Sequence, residues 1–187
     1  MKTRIIAHIM RLTSTKVKAL QMRNSLTRLF QFKAWADDTL LATLAQIGMA
    51  APVGDLAIKA LSHSYIVDRI FAAHLRGEQH GYQSANLDDV PTLEQLARDI
   101  RASDQEYIGY VAKLGTKELA EKVDFTFTDG APGRMSREEM LLHVITHGVG
   151  HRGQVSALLL LNRLPAAADG FTTYLHQAEP AARRRAA

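Results

Sequence analysis

The 187-residue sequence predicts an all-α fold, an antiparallel four-helix bundle with a short strand or hairpin inserted before the last long helix. Three observations predict it. Apolar residues recur at three- and four-residue spacing over four stretches of about 20 residues. Gly, Pro or capping residues bound those stretches. A single short segment switches to the period of two that marks a strand.

The first helix reads from Asn24 to about Ile47, with Leu26, Phe30, Leu40 and Leu44 among its apolar positions. "GMAAPVGD" breaks the pattern: Pro52 and Gly54 stop one helix, and Asp55 is expected to cap the next. That second helix runs from about Leu56 to Arg76 and ends at Gly77. Leu56, Ala60, His63, Val67, Ile70 and His74 follow the spacing of one face, which sets His63 beside core residues. After a polar loop, Thr92 and Gln95 offer a capping box for a third helix over Leu93–Leu114, closed at Gly115. In "EKVDFTFTDGAPG", Val123, Phe125 and Phe127 alternate with polar residues before a "DG" turn, which reads as a strand or hairpin. Ser136 and Glu139 form a second capping box. It opens a long fourth helix that lasts to about Arg163 and closes before Pro165. "DGFTTYLHQ" suggests one short terminal helix.

Composition bounds the chemistry. There is no cysteine, so disulfides, thiolate metal sites and cysteine nucleophiles are excluded, in keeping with a reducing cytoplasm. No apolar run reaches the roughly 18 to 20 residues of a membrane-spanning helix. The net charge of +4 is carried by the ends. Residues 1–21 hold five basic residues and no acid, and Arg183, Arg184 and Arg185 crowd the tail. The remainder holds 15 basic residues against 19 acidic ones. A nucleic-acid-binding domain carries its basic stripe on the folded body, so neither nucleic acid nor membrane is an expected partner. Residues 1–21 lack the apolar core and cleavage site of a secretory signal and read as a disordered extension or a mis-assigned start. Residues 22–178 form the expected domain, and 179–187 the expected disordered basic tail.

The chemistry concentrates in "LLHVITHGVGHRGQ", which spaces His143, His147 and His151 four residues apart. Residues i and i+4 on a helix lie about 6 Å apart along the axis, so two imidazoles at that spacing can reach one ion. His143 and His151 are about 12 Å apart and cannot share one. A metal-binding pair is therefore His143 with His147, or His147 with His151. His63 is the best placed third imidazole, and three histidines with an open position are a catalytic zinc arrangement. Packed core histidines are the alternative, but each buried ring nitrogen would then need a partner. Gly148, Gly150 and Gly153 either admit a neighbouring helix or leave room above the histidines. Arg152 and Gln154 flank the final histidine, and Gln154 could accept a ligand's ring N–H.

"HGVGHRGQ" after "LLHVIT" resembles the signature of the DinB-like (DinB/YfiT) superfamily of metal-dependent enzymes, which is unrelated to the DNA polymerase sharing that name. "FKAWADDTLLATL" and "LSHSYIVDRIFAAHLRG" look like the family's first two helices, and "LPAAADGFTTYL" is similar to its usual ending. The resemblance covers about Met22 to Gln177. It implies His63, His147 and His151 as the metal triad, with His143 a neighbour one turn away. It implies a divalent transition metal, typically nickel or zinc, both of which imidazole suits. It also implies a four-helix bundle, often a homodimer. Many members carry an aromatic residue or His where this chain has Gly150, a departure that affects the pocket.

The function this implies is a metalloenzyme acting on a small-molecule substrate, a low-molecular-weight-thiol-dependent S-transferase or isomerase. Characterised relatives use thiols such as mycothiol or bacillithiol. Metal-dependent hydrolysis is one alternative, and a non-enzymatic metal- or small-molecule-binding stress protein is another. No general base is evident, so no catalytic residue beyond the ligands is assigned.

Overall fold

The structure, a computed structural model, describes residues 2–48, 52–86 and 90–184, with only the backbone described for residues 2–20. The described residues are mostly helical, with one two-stranded hairpin. Helix α1 spans Lys2–Ile47, α2 Val53–Arg76, α3 Leu93–Lys113, α4 Thr116–Ala120, α5 Arg137–Leu161 and α6 Phe171–Ala178. Strands β1 (Lys122–Thr126) and β2 (Pro132–Ser136) pair antiparallel, with Phe125 opposite Gly133. A 3-10 turn covers Ala181–Arg183.

Both expected capping boxes are present. Thr92 and Gln95 exchange side-chain-to-backbone bonds at the start of α3, and Ser136 and Glu139 do so at the start of α5. Other boundaries differ from the sequence reading. The backbone of α1 starts at Lys2, in a stretch with no Gly or Pro to stop a helix even though no apolar stripe marks it. Helix α2 starts at Val53, so Asp55 lies in its first turn and caps nothing. There its charge complements the helix dipole. The short α4 follows Gly115 directly and went unseen, since five residues carry no readable period. Phe127 lies in the hairpin turn rather than the strand, where its N–H donates to the Ala131 carbonyl at 2.8 Å. In the tail, Arg183 pairs with Glu179 at 2.6 Å and Arg28 reaches the same carboxylate at 3.1 Å. Residues 185–187 lie outside the described residues.

Four helices bury residues at alternating three- and four-residue steps. On α1 these are Leu26, Phe30, Lys33, Asp37, Leu40 and Leu44, and on α2 Ala57, Leu61, Ser64, Asp68, Phe71 and Leu75. On α3 they are Ala97, Ile100, Asp104, Tyr107 and Val111, and on α5 Leu141, Ile145, Gly148, Arg152, Val155 and Leu159. This is the spacing of knobs-into-holes packing. Helix α1 packs on α3 and α5, and α2 packs on α5 and α3. Leu56, read from the sequence as part of the buried face of α2, is 51% exposed. The stripe that faces inward is the one through Leu61, Ser64 and Asp68, one residue round the helix from His63.

Two apolar layers result. One gathers Phe30, Phe71, Tyr107, Met140 and Val144, with Phe30 stacked on Tyr107 at 5.0 Å. The other gathers Leu40, Leu44, Leu61, Ile100 and Leu159. Between them, at the middle positions of the same stripes, lies a buried layer of charge. The Lys33 ammonium donates to Asp104 at 2.7 Å, Asp68 at 2.8 Å and Asp37 at 2.9 Å. Arg152 donates to Asp37 at 2.9 Å and to Asp169, on the α5–α6 link, at 3.1 Å. Gly148 makes room for this layer: a Cβ there would lie 3.3 Å from Lys33 Cε and 3.4 Å from Arg152 Nη1.

Candidate metal centre

The histidines stand at the level of the charged layer, on the flank where α2 meets α5. His63 rises from α2 between Leu61 and Val67; His147 and His151 rise from α5 between Ile145 and Val155. One ligand atom from each of His63, His147 and His151 lies within 4.8 Å of the others, and all three side chains are half-buried. The ring centroids of His63 are 5.3 Å from those of His147 and 4.7 Å from those of His151.

The residues fit a divalent ion. His147 Nε2 and His151 Nε2 are 3.1 Å apart. Two zinc–imidazole bonds of about 2.0–2.1 Å at a tetrahedral angle place their nitrogens roughly 3.3 Å apart. At His63, Nδ1 lies 3.1 Å from Asn86 Oδ1. The acceptor fixes the proton on Nδ1 and leaves the Nε2 lone pair free. Burial, then the neighbouring imidazoles His151, His143 and His63, push the His147 pKa down to about 4. Burial, then His63, lowers that of His151. Both rings are therefore neutral at neutral pH, the form that ligates. Their Nδ1 atoms are buried without hydrogen-bond partners among the described residues.

The remaining sequence candidates fall elsewhere. His143 packs against Phe71, with ring centroids 4.5 Å apart, and only flanks His147. Burial alone lowers its pKa. His74 packs against His80 at 5.1 Å and Phe125 at 4.9 Å, away from the three. Asp68, a carboxylate on α2 near His63, is committed to Lys33. Arg152, adjacent to His151, turns inward and is 1% exposed, joining α5 to α1. Gln154 is exposed; it acts to raise the His151 pKa but makes no hydrogen bond to the buried Nδ1. Gly150 and Gly153 have open space where a Cβ would stand, so neither admits a neighbouring helix; only Gly148 lies on the packed stripe.

Two groups escaped the sequence reading. Asn86 sits in a polar loop with no period to mark it. The charged layer did leave a signal, since Lys33 and Asp37 occupy stripe positions between Phe30 and Leu40.

A helical protein with three imidazoles converging from two helices belongs among those that build sites from inward-leaning side chains of neighbouring helices. The chain belongs to the DinB family, whose model matches residues 22–181. A crystal structure of a DinB-like protein from Bacillus cereus ATCC 10987 has a similar fold, with a TM-score of 0.50 and 21% identity, covering 79% of this chain and 94% of that one. No curated protein matches the chain. Among the described residues, no helix is long and apolar enough to cross a membrane.

Proposed function

We propose that this DinB family protein is a metal-dependent enzyme in which His63, His147 and His151 hold a divalent transition ion, nickel or zinc. The observation that carries the reading is the convergence of three ligand nitrogens within 4.8 Å, with two Nε2 atoms at ligand-pair separation. Structural zinc sites close their shell with four protein ligands; three leave a position for an exchangeable molecule. That favours a catalytic ion over a purely structural one. The helical framework is read as an antiparallel four-helix bundle of α1, α2, α3 and α5, supported by their shared three-four stripe and their pairwise packing.

A bound divalent ion with an open position lowers the pKa of a coordinated thiol or water and so supplies a nucleophile at neutral pH. The protein's own contribution is preorganisation. Asn86 orients His63, burial keeps His147 and His151 unprotonated, and the clamp of Arg152 on Asp37 and Asp169 fixes the turn of α5 that carries His151. Family resemblance favours a low-molecular-weight thiol as the activated group and a small electrophile as its acceptor, in a cytoplasmic homodimer. The test supplies the metal-loaded protein with a chromogenic aryl chloride, with and without an added small thiol. A thiol-dependent rate that disappears in His147→Ala supports transfer. Equal turnover of an activated ester without thiol assigns hydrolysis instead, and no metal-dependent turnover of either substrate counts against an enzyme.

A further inference from the structure

The solvent side of α5 carries no charge over roughly six turns. Between Glu139 and Arg163 the only Asp, Glu, Lys or Arg is Arg152, which is 1% exposed. The outer face of a helix in a globular protein is ordinarily charged or polar. Here its large residues are apolar: Leu142 is 39% exposed, Val149 42% and Leu160 63%. They share one stripe with Thr146, Gly153 and Ser156, at steps of 4, 3, 4, 3 and 4 residues. That is the a/d repeat of a coiled-coil seam, and it faces solvent. At about 100° per residue, Val149 lies nearly opposite His147 on the helix, so the seam and the histidines occupy different flanks. Thr146 spends its hydroxyl on its own helix, donating to the Leu142 carbonyl at 2.9 Å and to that of His143 at 3.1 Å. Gly153 weakens the helix, and nothing in the chain lies within 4 Å of where its Cβ would stand. Packing within one chain therefore gives no use for it.

We propose that this seam is the contact between two copies of the chain, with their α5 helices antiparallel about a two-fold axis level with residue 151. The inference rests on the homodimer of the proposed function and gives it a surface. A two-fold contact must be its own complement, and the stripe meets that demand when reversed. Antiparallel pairing sets Leu142 against the partner's Leu160, Thr146 against the partner's Ser156 and Val149 against the partner's Gly153. Large meets large, hydroxyl meets hydroxyl, and a knob meets a hole. The ends agree. Glu138 lies just before the seam and Arg163 just after it. Antiparallel pairing brings these opposite charges together, whereas parallel pairing sets like against like. Both sets of histidines stay clear of the contact.

The test is sedimentation of the untagged, full-length protein over a dilution series, joined to a crosslinking experiment. Wild type should give twice the 20.7 kDa of one chain. Leu160→Glu, at an exposed position, puts two charges into the contact and should weaken dimerisation at least about a hundredfold, with helical circular dichroism unchanged. The chain has no cysteine, so introduced thiols report the direction of pairing. Leu142→Cys mixed and exchanged with Leu160→Cys should form a disulfide-linked dimer on mild oxidation. Neither variant alone should do so, because identical positions then stand roughly 27 Å apart along the helices. A monomeric wild type would overturn both this proposal and the homodimer reading. A dimer that survives Leu160→Glu, or a crosslink formed by either cysteine variant alone, would overturn the proposal and leave the homodimer standing. His147→Ala should remain dimeric, so loss of the metal centre and failure of the seam give different results.

Discussion

Lys33 is 2% exposed yet remains charged, because three carboxylates lie within hydrogen-bond distance of its nitrogen. Its own desolvation opposes the charge, and Asp37, Asp68 and Asp104 outweigh it, holding the pKa well above that of an ordinary lysine. The carboxylates do not share the benefit equally. Lys33 and Arg152 both face Asp37 and overcome its burial, so its pKa is lowered. Burial prevails at Asp68 and Asp104, pushed up to about 6 and about 7. Removing one partner from such a cluster costs about 3–5 kcal/mol, although the intact cluster adds little net stability. Its use is specification: charge at matched positions on four helices penalises any slipped packing. The raised Asp104 pKa gives a signed prediction. Between about pH 4 and pH 7 the folded state holds a proton there that the unfolded state has lost, so this group's contribution to stability falls as pH rises. The stability advantage of wild type over Asp104→Asn should therefore be larger at pH 5 than at pH 8. Thermal melts of both proteins at the two pH values check it, and a gap that grows with pH would contradict the assignment. This layer was legible in principle, since Lys33 and Asp37 fall four residues apart on an otherwise apolar stripe. Its partners were not, because Asp68 and Asp104 meet Lys33 only across three helices.

At the scale of elements, α5 does most of the positioning. Ser136 accepts from the Glu139 N–H at 3.1 Å, and the Glu139 carboxylate accepts from the Ser136 N–H at 2.6 Å, so the helix starts at one defined residue. Those bonds, with Lys122, hold the Glu139 pKa at about 2. The hairpin delivers the chain to that cap, since Ser136 closes β2 opposite Lys122. Ser136→Ala should lower stability by about 1 kcal/mol, the usual worth of such a cap. Denaturant unfolding checks it, and an unchanged midpoint would mean that tertiary contacts alone fix the start of α5. Both caps were readable because a capping box is local chemistry. The start of α2 was not, because Asp55 sits two residues inside a helix whose preceding Pro52 makes no side-chain cap. Periodicity likewise placed His63 with the core, whereas its flank of α2 faces α5, a distinction of about 100° per residue that only packing settles.

At the scale of the whole molecule, two apolar layers enclose a charged one, and the histidines open from that level onto the α2–α5 flank. The spacing of "LLHVITHGVGHRGQ" limits the ligand pairs on α5 to two; the fold brings His63 to His147 and His151 and leaves His143 on Phe71. No local pattern reports that choice, because His63 and His147 meet across 84 residues of chain. An ion bound there would tie α2 to α5 and stabilise the fold in proportion to the logarithm of its concentration over Kd. The most direct measurement is elemental analysis of untagged protein purified without added metal, wild type beside His147→Ala. The account predicts close to one nickel, zinc or similar ion per chain in wild type and its loss in the variant. No ion in wild type, even after reconstitution, would contradict it and leave the three imidazoles as packing residues.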